Sequence, residues 1–131
     1  MPVINNSSLR EFNLPGLNHR TFAGPEHGMK NLEVWGQVIE AGAGTPVHCH
    51  SCEEAIVILE GSGTLTINGE ETKFGANSTL IIPADAVHQI VNSGDTRMVM
   101  IAALSAAPVK VRHGDNQPMP LPWQAPDYGR V

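Results

Sequence analysis

Short stretches of the chain alternate apolar and polar residues with a period of two. Leu32-Glu33-Val34-Trp35-Gly36-Gln37-Val38-Ile39 reads as a strand with one wet face, and Thr64-Leu65-Thr66-Ile67 alternates cleanly. Asn68-Gly69 follows, a pair that accepts positive φ at both positions, so a tight hairpin returning along Glu71 to Phe74 is expected. Glu54-Ala55-Ile56-Val57-Ile58-Leu59-Glu60 is apolar throughout its interior, the pattern of a strand buried on both faces. Thr79 to Ile82 ends at Pro83, which has no amide proton for a ladder. Val87 to Val91 and Arg97 to Leu104 complete the set, and Thr45 to His50 reads as a further short strand. About eight strands and no convincing helix predict an all-β fold, a sandwich or a jelly-roll barrel.

The flanks are less regular. Residues 1–30 read as loop, with Thr21-Phe22-Ala23 as an outer strand at most, and Pro118, Pro120, Pro122 and Pro126 mark a proline-rich tail. With 131 residues, a single domain 1–131 is expected, with a core of about 32–106, an N-terminal arm 1–31 and a tail 107–131. Ten prolines and thirteen glycines support many turns, and 41% apolar residues suffice for a real core.

The formal net charge of −5 comes with no basic cluster, which argues against nucleic acid and against an anionic membrane as partners. No apolar run approaches the length needed to cross a bilayer. Met1 to Ser8 show neither a cationic start nor an apolar stretch, so a cytoplasmic location is expected. Cys49 and Cys52 would close only a tiny loop, and reduced thiols are expected.

The candidate chemistry lies in two stretches. His48-Cys49-His50 puts two imidazoles on one face of a strand, with Glu53 and Glu54 close behind, and His88 follows in the second stretch. Imidazole and carboxylate donors suit zinc, iron, manganese or nickel. Cys49, between the two histidines, should point away from the metal. His19, His27 and His113 have no partner spacing and are expected at the surface.

This spacing resembles the cupin superfamily. Its first motif is matched by Gly42, His48-Cys49-His50, Glu54 and Gly61, which selects Glu54 over Glu53. In its second, Pro83, His88 and Asn92 fall into place, while Asn77 and Asp85 stand where the family has glycine. Both residue types tolerate left-handed backbone, so the turns should survive. The resemblance implies a metal held by His48, His50, Glu54 and His88.

Within the superfamily the chain resembles the plant auxin-binding proteins. Gly16-Leu17-Asn18-His19, His27-Gly28-Met29-Lys30, Glu33-Val34-Trp35, Thr45-Pro46-Val47-His48 and Ser51-Cys52-Glu53-Glu54 carry the likeness. It resumes at Ile82-Pro83, His88-Gln89, Asn92-Ser93 and near Pro122-Trp123. The resemblance implies zinc and a pocket lined by Leu14, Leu17, Gln37, Thr45, Pro46 and Trp123. The plant proteins' secretory signal, retention tail, cysteine pair and longer segment between the motifs have no counterpart in these residues. Compartment and receptor role therefore do not carry over, and a soluble bacterial relative is the expectation.

Three neutral imidazoles and one carboxylate leave a divalent ion with a local charge of about +1 and open positions. The expected function is binding of a small organic, even aromatic, carboxylate at that metal, by a homodimer paired through its sheet edges. The alternative is a mononuclear metal-dependent enzyme, a dioxygenase, lyase or isomerase, acting on a small organic acid.

Overall fold

The computed structural model describes residues 2–124. Its strands are β1 (Phe12–Leu14), β2 (Leu17–Ala23), β3 (Glu33–Ile39), β4 (His48–His50), β5 (Glu54–Glu60), β6 (Gly63–Ile67), β7 (Glu70–Phe74), β8 (Ser78–Ile82), β9 (His88–Val91), β10 (Met98–Leu104), β11 (Val111–His113) and β12 (Pro118–Met119). Two antiparallel six-stranded sheets form, in the orders β1-β2-β3-β10-β5-β8 and β12-β11-β4-β9-β6-β7. From β3 to β11 every connection except the β6–β7 hairpin crosses from one sheet to the other, as in a jelly roll. The shared core joins Ile39, Ile56, Ile58, Met98 and Leu104 of the first sheet to Leu65 and Ile90 of the second.

The turn chemistry follows the residues. Asn68 and Gly69 take φ of 49° and 85° in the β6–β7 hairpin. Asn77 and Asp85, which replace two motif glycines, adopt φ of 63° and 64°, so the left-handed turns survive the substitution. Asn92 is a structural staple: its amide nitrogen donates to the carbonyls of Ile39 and Thr96, and its Oδ1 accepts from the Gly94 amide.

Three expectations are corrected. The framework extends beyond 32–106: the arm supplies β1 and β2 to one edge of the first sheet, and the tail supplies β11 and β12 to one edge of the second. Within residues 1–30 the strand reaches well beyond Thr21-Phe22-Ala23, because the inward positions of β2 pack against β3 even though two of them, His19 and Thr21, are polar. The run 54–60 is not buried on both faces: Ile56 and Ile58 are in the core, whereas Val57 and Leu59 are 42% and 50% exposed. Among the described residues no second layer covers Val57 and Leu59. The strand delivering the histidines is also shorter than 45–50, with Gly44 making an isolated bridge to Val91 before it. Pro126 lies outside the described residues.

Glu33 ties the first sheet to the start of the tail. It is buried, its Oε1 accepts from Trp35 Nε1 at 2.9 Å, and its Oε2 accepts from the Val109 amide at 2.8 Å. Burial raises its pKa, opposed by these two hydrogen bonds. Glu33→Gln must turn an amide NH2 toward one of the two donors. A loss of about 1–3 kcal/mol is expected, whereas exposed Glu53→Gln should stay within about 0.5 kcal/mol. Urea denaturation of the two variants checks this, and equal stabilities would refute the role given to Glu33.

Candidate metal centre and cavity

His48 and His50 are presented by β4, His88 by the start of β9 directly opposite His48, and Glu54 by the start of β5 on the facing sheet. One ligand atom from each of the three imidazoles lies within 4.8 Å of the others, and together they form the candidate metal cluster among the described residues. Glu54 Oε1 sits 3.0 Å from His50 Nε2 and 3.6 Å from His88 Nε2. Glu53 faces solvent, so the geometry separates the two carboxylates as the motif spacing does.

Each imidazole is held from behind by a backbone carbonyl two residues away. His48 Nδ1 meets Pro46 O at 2.7 Å, His50 Nδ1 meets Cys52 O at 3.0 Å, and His88 Nδ1 meets Ala86 O at 2.8 Å. A carbonyl only accepts, so these contacts place a ring proton on Nδ1 and turn each Nε2 inward, where that of His50 meets the Glu54 carboxylate. Among the described residues His88 Nε2 is buried with no partner within hydrogen-bond distance, Glu54 Oε1 lying 3.6 Å away. A buried acceptor left unmet is costly unless something fills it, and a cation between the three rings does so. The donor set therefore fits a divalent metal ion.

The protein groups alone already balance charge within the cluster. Burial, reinforced by the charge of His88, lowers the His48 pKa to about 4. Burial would also lower His50, but hydrogen bonds to Cys52 and Glu54 outweigh it and raise the pKa to about 10. Glu54 would be raised by burial, yet His50 and His88 bring it down to about 2. Among the protein groups alone, Glu54 and His50 are thus the charged pair of the cluster.

A cavity of about 350 Å³ opens onto this cluster, within the usual range for small-molecule sites. Leu14, Leu17, Gln37, Thr45, Pro46 and Trp123 all line it, together with His48, Glu54 and His88. Cys49 is buried away from it, its thiol 3.9 Å from the His113 carbonyl, and Cys52 is buried with its Sγ 3.6 Å from His50 Nδ1. Both are free thiols. Tyr128, a residue without a claim to the site, falls outside the described residues.

His19 overturns an expectation. It is completely buried rather than exposed, because β2 turns it inward against β3. Gln37 Nε2 donates to its Nδ1 at 2.9 Å, which leaves the ring proton on Nε2, 2.8 Å from Thr21 Oγ1. Its ring stacks on Trp123 at 3.5 Å between centroids and meets Trp35 edge-on at 5.2 Å. Sequence pattern missed it because a histidine on an inward strand position looks like a histidine on an outward one until the strand is recognised. His113 is exposed as expected, yet it also lines the cavity.

The two sheets, their crossing connections and the imidazole cluster define a cupin. The structure of the polyketide cyclase RemF from Streptomyces resistomycificus superposes with a TM-score of 0.72 over 100% of this chain and 94% of that one, at 18% identity. In sequence, the auxin binding protein family model matches residues 2–125. Auxin-binding protein 1 of Arabidopsis thaliana is 40% identical over 124 residues, 85% of this chain. Auxin-binding protein T92 of Nicotiana tabacum is 38% identical over 135 residues, 92% of this chain and 72% of that protein. The chain belongs to the auxin-binding protein family. It spans 63% of the length of the Arabidopsis protein.

Burial lowers the His19 pKa to about 3. A folded-state pKa below the unfolded value of about 6.5 means that the unfolded chain binds the proton more readily. The imidazole should therefore remain neutral as pH falls from 8 to 5, and its contribution should erode stability progressively below about pH 6.5. Imidazole NMR signals of the wild type, assigned by comparison with His19→Gln, check the first point. A His19 resonance titrating near pH 6.5 would contradict the burial argument.

Proposed function

We propose that His48, His50, Glu54 and His88 hold one divalent metal ion, zinc by their nitrogen-rich character, and that the protein binds a small organic carboxylate there. The observation carrying this reading is the unpartnered, inward-facing His88 Nε2 beside two imidazoles tethered in the same way. Such an ion supplies positive charge and open coordination positions for an oxygen donor.

The chain's own residues then divide the remaining work. Leu14, Leu17 and Pro46 form an apolar wall for the body of the acid, and Trp123 covers it from the tail. Burying about 100 Å² of ring surface contributes about 2.5 kcal/mol, a little under two orders of magnitude in affinity. Gln37 is held in place by His19. Thr45 Oγ1 accepts the Ile90 amide at 3.0 Å, which leaves its hydroxyl hydrogen for the cavity. Trp123 Nε1 is a buried donor with no partner among the described residues, a second polar demand that a ligand can meet.

Calorimetry with phenylacetate, indole-acetate and benzoate tests the reading on metal-loaded and metal-free protein, beside His48→Ala and His88→Ala. Both variants should lose most of their metal by elemental analysis, and at least one acid should bind the loaded protein more than tenfold more tightly than the metal-free protein. Full metal content in either variant removes the ligand assignment. Equal binding with and without metal removes the carboxylate reading. Consumption of an acid during titration would instead make the protein an enzyme.

We further propose that the protein is a homodimer, joined through the outer face of the first sheet. Val57, Leu59 and Ile81 are 42%, 50% and 65% exposed there, next to the outward positions Ala55, Ile101 and Ala103. This face is apolar and uncharged at its centre, so an identical face suits it better than a charged partner does. A standard interface of about 800 Å² per partner is the size to be filled. Light scattering at micromolar concentration should give a dimer for the wild type and a monomer for Val57→Lys/Ile81→Lys. A monomeric wild type would refute the assembly.

A further inference from the structure

The cavity wall carries an imidazole that the metal cluster does not use. In the register of β11 against β4, His113 stands opposite His48 and Val111 opposite His50. His48 in turn stands opposite His88 on β9. Directly opposed residues of an antiparallel pair project from the same face, and neighbouring strands lie about 5 Å apart. His113, His48 and His88 therefore form one row across three adjacent strands, and His113 lines the same cavity as the other two.

Its backbone is well fixed. The His113 amide donates to the Gln117 carbonyl at 2.7 Å, its carbonyl accepts the Asn116 amide at 2.8 Å, and the next residue, Gly114, donates its amide to Val47 O at 3.2 Å. The ring is treated differently from the other three. His48, His50 and His88 each have Nδ1 engaged by a carbonyl, whereas the His113 ring makes no hydrogen bond to any described residue. Its row neighbour His48 is engaged at Nδ1 by Pro46, and Val111, Met119 and Leu121 of the same cavity are apolar. A ligand filling the cavity displaces water from this ring, and the lost hydrogen bond must be replaced by the ligand or forfeited.

We propose that His113 is a specificity-determining residue: it hydrogen-bonds an oxygen substituent near the metal-bound carboxylate, so that the cavity selects hydroxy-, oxo- or dicarboxylic acids over plain aryl or alkyl acids. This rests on the reading that the cavity binds a carboxylate at the metal. His113 is partly in contact with solvent, so the discrimination is that of one ordinary hydrogen bond, about five- to tenfold.

Mandelate and phenylacetate differ by a single α-hydroxyl and are the probes. Their affinities are measured by calorimetry on metal-loaded wild type, His113→Ala and His113→Gln, with metal content verified for each. The wild type should prefer one enantiomer of mandelate by about five- to tenfold. His113→Ala should bring the two acids to within about twofold, and His113→Gln, which keeps a side-chain donor, should retain part of the preference. A preference that persists unchanged in His113→Ala belongs to the metal or another residue and overturns the proposal. Equal binding of both acids by the wild type overturns it while leaving the carboxylate reading intact. Binding of neither acid overturns both.

Discussion

Three histidine–carbonyl hydrogen bonds organise the site, and each arises from the end of a strand. Pro46 lies just before β4, Cys52 just after it, and Ala86 just before β9. The ring orientations are therefore set by the backbone at the strand ends and not by contact with one another. The two loops are also coupled. The Asp85 amide donates to His50 O at 2.8 Å, and the Ala86 amide to Pro83 O at 3.2 Å. The left-handed Asp85 turn thereby places the carbonyl that aims His88 while bonding to the strand that carries His50. A metal arriving at such a centre meets donors already aimed, which reduces the ordering cost of binding.

Glu54 enters from the opposite sheet, and that placement has an energetic consequence. A buried carboxylate beside imidazoles is expensive unless opposite charge accompanies it. Without a cation, the pairing with His50 has to provide that charge within the protein, as the opposed pKa displacements of the two groups indicate. A divalent ion satisfies the carboxylate and leaves all three imidazoles neutral. The crossing connections of the jelly roll make this arrangement available, since consecutive strands β4 and β5 belong to facing sheets.

Strand period put His48 and His50 on one face, whereas only the spacing of the cupin motif separated Glu54 from Glu53. Asn77 and Asp85 were readable as left-handed positions because the cupin motif has glycine there and both side chains tolerate that backbone. The N-terminal strands were not readable, since the inward row Leu17, His19, Thr21 is mostly polar while Phe22 covers the outer side at Gly36. Hydrophobic alternation is inverted there, and only the partner strand explains it. The run from Ala55 to Leu59 misled for a different reason: apolar side chains on both faces of a strand do not by themselves say that both faces are covered, and Val57 and Leu59 are exposed. His113 was hidden because a three-residue strand in a proline-rich tail is too short to show a period.

The distribution of the cavity wall separates two tasks along the chain. The central strands β4, β5 and β9 carry the candidate ligands. Much of what would touch the rest of a bound acid comes from outside them: Leu14 and Leu17 from the arm, His113 and Trp123 from the tail. These flanking segments are fastened to one another through the aromatic cluster, with His19 of β2 stacked on Trp123 and Phe12 of β1 edge-on to it at 6.5 Å. Their attachment to the central framework runs through the edges of the two sheets and through Glu33 to Val109. Changes in the arm or tail can thus reshape the cavity without moving the carbonyls that aim the histidines. Under the proposed function, one metal centre would then serve different organic acids, because the residues lining the outer cavity and the candidate metal ligands come from different segments of the same fold.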